Sequence, residues 1–167
     1  MPRGAQELLS PEEVLARHSG GPSTGVFTDG SCEGNPGPGG YGWVWVEDGA
    51  IVDSGHGYEP RTTNNRMELS AVIAALRTVP RDAELTLYSD SRLCVDTLNE
   101  WAAGWEKRGW KRKTGPIANL ELVKEAYALA RAHPKVAIRW IKAHDGSLWN
   151  EYADALATTY MRDGARR

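Results

Sequence analysis

The sequence lacks the features that mark several whole classes of protein. Only two cysteines, Cys32 and Cys94, occur in 167 residues. They show no paired spacing, which excludes a disulfide-stapled secreted scaffold and reads as free thiols in a reducing cytoplasm. No long apolar run is present either. The longest, Leu69 to Leu76, is interrupted by Ser70 and falls far short of the roughly 20 residues that cross a bilayer, so no membrane partner is expected. The first twenty residues hold Glu7, Pro11, Glu12 and Glu13 and no apolar centre, unlike a secretory leader. Excess charge of one sign is missing too. The formal net charge is −2, which argues against a uniformly basic binder of nucleic acid. Internal repeats and low-complexity tracts are absent.

What is there is an ordinary globular composition, 41% hydrophobic and 25% charged, in a chain of one-domain length. A chain of this size buries roughly 68–70% of its unfolded surface and needs no disulfide or structural metal to hold a core. The charge is unevenly spread. Between Trp101 and Lys113 five basic residues face the single acid Glu106, a local +4 that leaves −6 for the rest. Basic charge in one place suits a phosphate backbone, and acid elsewhere suits a metal.

Residues 1–22 read as an N-terminal extension, polar and rich in Gly, Pro and Ser. Either Ser10-Pro11-Glu12-Glu13 caps a short helix there, or the segment is disordered. Val26 to Asp29 reads as a strand that ends at Asp29, followed by a Gly/Pro-dense loop from Gly30 to Gly40. Tyr41 to Glu47 and Ile51 to Tyr58 flank Asp48-Gly49, a hairpin signal. Leu69, Val72, Ile73 and Leu76 recur at helical spacing after the capping residues Thr62 to Asn65. A short strand from Leu85 to Tyr88 leads into Ser89-Asp90-Ser91, and residues 91–106 look helical with a break near Gly104. A further helix around Leu120 to Ala130, a strand from Val136 to Ile141 and a closing helix through Tyr160 complete the order β-β-β-α-β-α-α-β-α. An α/β fold follows, with a mixed sheet, part antiparallel and part parallel, and helices on its faces.

Asp29 and Asp90 fall at the ends of strands, Glu68 early in a helix and Asp154 in the last helix. Taken singly, each also fits a solvated turn or helix face. Brought together, such carboxylates repel one another, and a hard divalent cation relieves that repulsion. All-oxygen ligands favour Mg²⁺ or Mn²⁺ over zinc.

The surroundings of these acids resemble a known family. Thr28-Asp29-Gly30-Ser31 through Gly40, Thr62-Thr63-Asn64-Asn65-Arg66-Met67-Glu68-Leu69, Ser89-Asp90-Ser91, and Lys142-Ala143-His144-Asp145-Gly146 with Asn150 and Asp154 are similar to the four motifs of type 1 ribonuclease H, in order over residues 24–160. The resemblance implies a ribonuclease H-like fold with a five-stranded sheet, three antiparallel strands and then parallel ones. It implies a catalytic domain over residues 23–162 and a C-terminal tail over 163–167. Asp29, Glu68, Asp90 and Asp154 match the family's metal-binding carboxylates, and His144 its mobile catalytic histidine. The activity implied is hydrolysis of the RNA strand of an RNA–DNA hybrid, leaving 5′-phosphate and 3′-hydroxyl ends, with two Mg²⁺ ions for which Mn²⁺ substitutes.

Asn35, Asn64 and Asn65 match contacts to RNA 2′-hydroxyls, and Arg61, Thr63 and Asn119 match a pocket for a DNA-strand phosphate. Trp101, Trp105 and Trp110, interleaved with Lys107, Arg108, Lys111, Arg112 and Lys113, resemble a basic protrusion that tracks DNA phosphates. Trp110 is expected to be the foremost surface contact there. Arg92 and Ala143 depart from the usual pattern, where a neutral polar residue and a glycine are common. A monomer in the cytoplasm without an obligate protein partner is expected. The competing readings are a non-catalytic hybrid-binding module, which would be expected to lose a metal carboxylate, and a polynucleotidyl transferase of the same fold, against which the Thr-Thr-Asn-Asn run and the basic segment argue.

Overall fold

The computed structural model describes residues 8–162; the tail expected at 163–167 and the first seven residues lie outside them. Helix α1 (Pro11–Arg17) opens the described chain, so the capped helix is the alternative the segment adopts. Its capping box is reciprocal: Glu13 N donates to Ser10 Oγ and Ser10 N donates to Glu13 Oε1. Three strands follow as an antiparallel meander: β1 (Gly25–Cys32), β2 (Gly37–Glu47) and β3 (Ala50–Thr62). Then come α2 (Asn64–Thr78), β4 (Leu85–Ser89), α3 (Arg92–Asp96), a π-helical turn (Thr97–Trp101), α4 (Ala102–Lys107) and α5 (Leu120–Ala132). The chain closes with β5 (Val136–Trp140), α6 (Leu148–Ala157) and α7 (Thr159–Arg162). The sheet order is β3-β2-β1-β4-β5, with β4 parallel to both β1 and β5. That is the mixed five-stranded sheet expected.

Alternation along the strands splits the apolar side chains between two cores. Val26, Trp43, Leu87 and Ile138 pack under α2 and α5 with Leu69, Val72, Leu76 and Val123. Phe27, Val44 and Val46 pack under α1 and α6 with Val14, Trp149, Tyr152 and Leu156. No helix among the described residues is long and apolar enough to cross a membrane.

Two expectations need correction. The Gly/Pro-dense run is largely strand, because β1 continues to Cys32 and β2 begins at Gly37; Asp29 therefore sits within β1 and not at its end. Within the strands glycine serves close approach, while Gly34, with φ +72°, turns the chain between them. A Cβ on Gly30 would lie 2.5 Å from the Glu68 backbone nitrogen, and one on Gly42 would lie 2.6 Å from that of Ala157, so α2 and α6 rest directly on the strands. The second correction concerns Gly104, which lies inside α4. The irregularity falls earlier, at the π-helical turn that carries Trp101.

Candidate functional site: an acidic centre beside a lined groove

The centre starts from β1. Pairing of Asp29 with Gly42 of β2 fixes its backbone, and its side chain is 4% exposed. Helix α2 supplies Glu68. Thr63 caps that helix by accepting from Arg66 N at 3.2 Å, and buried Met67 and Leu69 fix the helix rotation between them. The direct seating of α2 on Gly30 carries Glu68 to Asp29. Asp90 follows β4 immediately, before the cap of α3 at Ser91. One oxygen from each of Asp29, Glu68 and Asp90 lies within 4.8 Å of the others. Asp154, on α6, completes the acidic surroundings through a hydrogen bond with Asp29 and through its charge.

Such a cluster is unfavourable by itself. Burial first, then the charge of Asp90, raises the proton affinities of Asp29 and of Glu68 well above the ordinary carboxylate range. Glu68 Oε1 is buried and finds no hydrogen-bond partner among the described residues. An orphaned acceptor facing two more carboxylates fits a hard divalent cation better than it fits any protein donor in reach.

Asn150 and Glu151 support the centre. Asn150 Nδ2 donates to Asp90 Oδ2 at 3.3 Å. His144 stands on an exposed turn with φ +53°, and its Nδ1 lies 2.8 Å from Glu151 Oε1. The signal for both was in the numbering. Asn150 and Glu151 precede Asp154 by four and three positions, one helical turn, and so share its side of α6.

The residues expected to bind substrate fall into linked groups. Asn35 Oδ1 accepts from Asn64 N at 3.0 Å, tying the β1–β2 turn to the start of α2. Arg61 is exposed near the end of β3. Thr63 and Asn119 are joined through Arg66, whose guanidinium reaches Asn119 Oδ1 at 3.4 Å and Glu121 Oε1 at 2.8 Å. A groove of about 390 Å³ brings together Asn65, Trp101, Trp105, Arg112 and Asn119, with Ser91, the neighbour of Asp90, on its wall. Lys107, Arg108, Lys111, Arg112 and Lys113 are all exposed. Trp110 corrects an expectation. It is half-buried, edge-on to Tyr127 with ring centroids 6.1 Å apart, and Lys124 lies over its ring. Trp101, 42% exposed, is the indole that faces outward. Arg92 stacks on Trp140, 4.2 Å from the ring centre, and Trp140 Nε1 donates to the Asp90 carbonyl at 3.2 Å.

Fold and centre together define a class: enzymes of the ribonuclease H fold, with acids gathered around the middle strands of a mixed sheet. The sequence profile of the RNase H family matches residues 22–162, and the chain belongs to that family. The ribonuclease H of Paracidovorax citrulli is 47% identical over 134 residues, covering 79% of this chain and 89% of that protein. That of Cupriavidus necator is 44% identical over 133 residues, covering 79% and 90%. Among solved structures, LC9-RNase H1, a type 1 RNase H with the type 2 active-site motif, superposes with a TM-score of 0.68. It is 38% identical and covers 89% of this chain and 76% of that one.

Proposed function

We propose that Asp29, Glu68, Asp90 and Asp154 hold divalent cations at which this chain cleaves RNA. The function is the family's, hydrolysis of the RNA strand of RNA–DNA hybrids by an endonuclease. The observation that carries the metal reading is the close-set, mutually repelling carboxylates around buried Asp29, with Glu68 Oε1 left without a donor. Two Mg²⁺ ions, with Mn²⁺ as a substitute, supply Lewis acidity toward the attacking water and the departing 3′ oxygen.

The chain's own groups do the rest. Asn150 holds one oxygen of Asp90 and so restricts how that carboxylate turns. Glu151 takes up Nδ1 of His144 and leaves Nε2 to exchange a proton on the leaving-group side, the 3′ oxygen of the cut strand. Asn35, Asn64 and Asn65 present amides that both donate and accept, as a 2′-hydroxyl requires. Asn35 spends its carbonyl on Asn64 N, so its amide hydrogens face substrate needs. Thr63, Asn119 and Arg61 receive a DNA phosphate. Trp101 and Trp105 lie against the DNA sugar, and the lysines and arginines of the exposed segment, with Trp110 stapling it to α5, track the phosphates. We assign residues 23–162 to the catalytic domain and place the enzyme in the cytoplasm as a monomer, in keeping with its two free cysteines.

The test is cleavage of an end-labelled RNA–DNA hybrid beside RNA–RNA and DNA–DNA duplexes, with and without Mg²⁺. Cleavage of the hybrid alone, only with the cation, giving 5′-phosphate ends, is expected. Asp90→Asn should bind the hybrid about as well as the parent and barely cut it. Parental cleavage by that variant would remove the metal assignment.

A further inference from the structure

The segment ahead of β1 does more than cover a core. It ends on the turn that carries His144. Leu148 N donates to Gly20 O at 2.8 Å, and Gly20 N donates to Gly146 O at 3.1 Å. These bonds form a parallel bridge between Gly20 and Ser147, so the chain grips both flanks of the cap of α6. The approach is backbone on backbone. A Cβ on Gly20 would stand 2.6 Å from Gly146 O, and one on Gly21, where φ is +81°, would stand 2.6–2.9 Å from Ser147. Only glycines allow the two strands of chain to meet there.

The other end of the segment is anchored independently. Val14 of α1 is 2% exposed and packs with Trp149 and Tyr152 of α6, while Leu9 and Leu148 pack against the same cluster. The capping box at Ser10 and Glu13 stiffens the short helix that makes this contact. The segment is therefore fastened to the helix that bears Asn150, Glu151 and Asp154, and its far end is hydrogen-bonded two residues past His144. From the other side, Glu151 fixes the imidazole. Between those two fastenings His144 holds left-handed backbone, with φ of +53°. A residue other than glycine keeps that conformation only where surrounding structure imposes it.

We propose that residues 8–22 are a positioning strap for the His144 turn, acting on turnover through Gly20 and anchored by Val14. The inference rests on the reading of His144 as the proton-handling residue. A loop that carries a proton-transfer group must be held within a fraction of an ångström of its working place, and turns of this kind often set the turnover rate. Hybrid binding draws on other surfaces, so the strap acts on kcat and not on KM.

The experiment uses the full chain with Gly20→Ala, which places a methyl group against Gly146 O, and separately with Val14→Asp, which undocks α1 while leaving the bridge residues unchanged. Hydrogen exchange reads the turn directly. The amide of Leu148 and those of residues 143–147 are expected to exchange about tenfold faster in both variants. Multiple-turnover assays well below the melting temperature should show kcat lower by about tenfold with KM within twofold of the parent. In a His144→Ala background, Gly20→Ala should cause no further loss, because a segment that acts through His144 has nothing left to position. An equal loss in that background, or parental exchange and kcat in both variants, overturns the strap. His144→Ala cleaving at the parental rate would overturn instead the reading of His144, and with it the strap's effect on turnover.

Discussion

Asn150, 2% exposed, donates its side-chain amide to Asp90 Oδ2 across 3.3 Å. It is a neutral donor to the acidic centre, and it comes from the helix that also carries Asp154. Asn150→Ala leaves Asp90 free to rotate and leaves a small void beneath it. Loss of such a supporting partner costs roughly 10–100-fold in metal affinity or activity. The expected result is a Mg²⁺ activation curve displaced to higher concentration by that factor, with hybrid affinity unchanged. A curve that superposes on the parent's would show that Asp90 needs no help from α6.

The fold was largely readable because its periodicities are regular. Leu69, Val72, Ile73 and Leu76 keep one face of α2 buried, and that spacing is visible without coordinates. Residues 30–40 read as a loop for a physical reason. Glycine in a strand looks like a turn unless the helix that presses on it is known, and Gly30 and Gly42 face α2 and α6, elements distant in the chain. The motifs around Asp29, Glu68 and Asp90 mark out the three acids that the structure gathers within 4.8 Å, whereas the contacts of Asn150 and Glu151 show in the sequence only as their spacing from Asp154. Trp110, expected as the foremost surface contact, instead sets its ring against Tyr127 of α5, a contact between segments that no local pattern specifies.

The acidic centre sets a pH dependence of stability. Burial and then neighbouring charge raise the folded-state proton affinities of Asp29 and Glu68 above their ordinary values of 3.8 and 4.5. A group whose affinity is raised by folding stabilises the fold fully below its ordinary value, and that contribution is lost as pH rises through the raised one. Metal-free protein is therefore expected to melt at progressively lower temperature from about pH 4 toward neutrality, and more steeply than Asp29→Asn, which loses the Asp29 share of the penalty and keeps that of Glu68. Mg²⁺ at about 100 times its dissociation constant should restore roughly 2.7 kcal/mol at neutral pH and nothing at the acid end. Melting curves across pH, with chelator or with Mg²⁺, check both. A Mg²⁺ effect independent of pH would place the cation elsewhere.

The exposed basic segment should govern salt sensitivity. Replacing Lys107, Arg108, Lys111, Arg112 and Lys113 by Ala removes up to five phosphate contacts, each contributing about 0.9 to the slope of log affinity against log salt when fully engaged. KM for the hybrid is expected to rise and its salt dependence to flatten, with turnover at saturation changing far less. Trp101→Ala should raise KM more than Trp110→Ala at equal stability, because Trp101 is 42% exposed and lines the groove while Trp110 leans on Tyr127. An unchanged KM at low and moderate salt in the five-residue variant would remove the segment from substrate binding.

His144 and Glu151 form the second linked pair of the site, with Nδ1 and Oε1 2.8 Å apart. His144 is exposed and Glu151 largely covered, their side chains 45% and 13% accessible, so the carboxylate is the fixed member and the imidazole the one it orients. If His144 transfers a proton in the rate-limiting step, His144→Ala lowers kcat by roughly 10²–10⁴, without weakening the metal. Glu151→Ala frees the ring and leaves its proton-exchanging nitrogen mispointed part of the time, so its loss should be smaller. Glu151→Gln retains an oxygen acceptor for Nδ1 and should recover much of that loss. Because Glu151 acts through His144, the double variant should be no slower than His144→Ala alone. Measuring kcat, KM and Mg²⁺ affinity for all four variants settles the assignment. Additive losses would mean that Glu151 serves the centre by a route of its own, and a matching fall in metal affinity in His144→Ala would make the histidine a ligand.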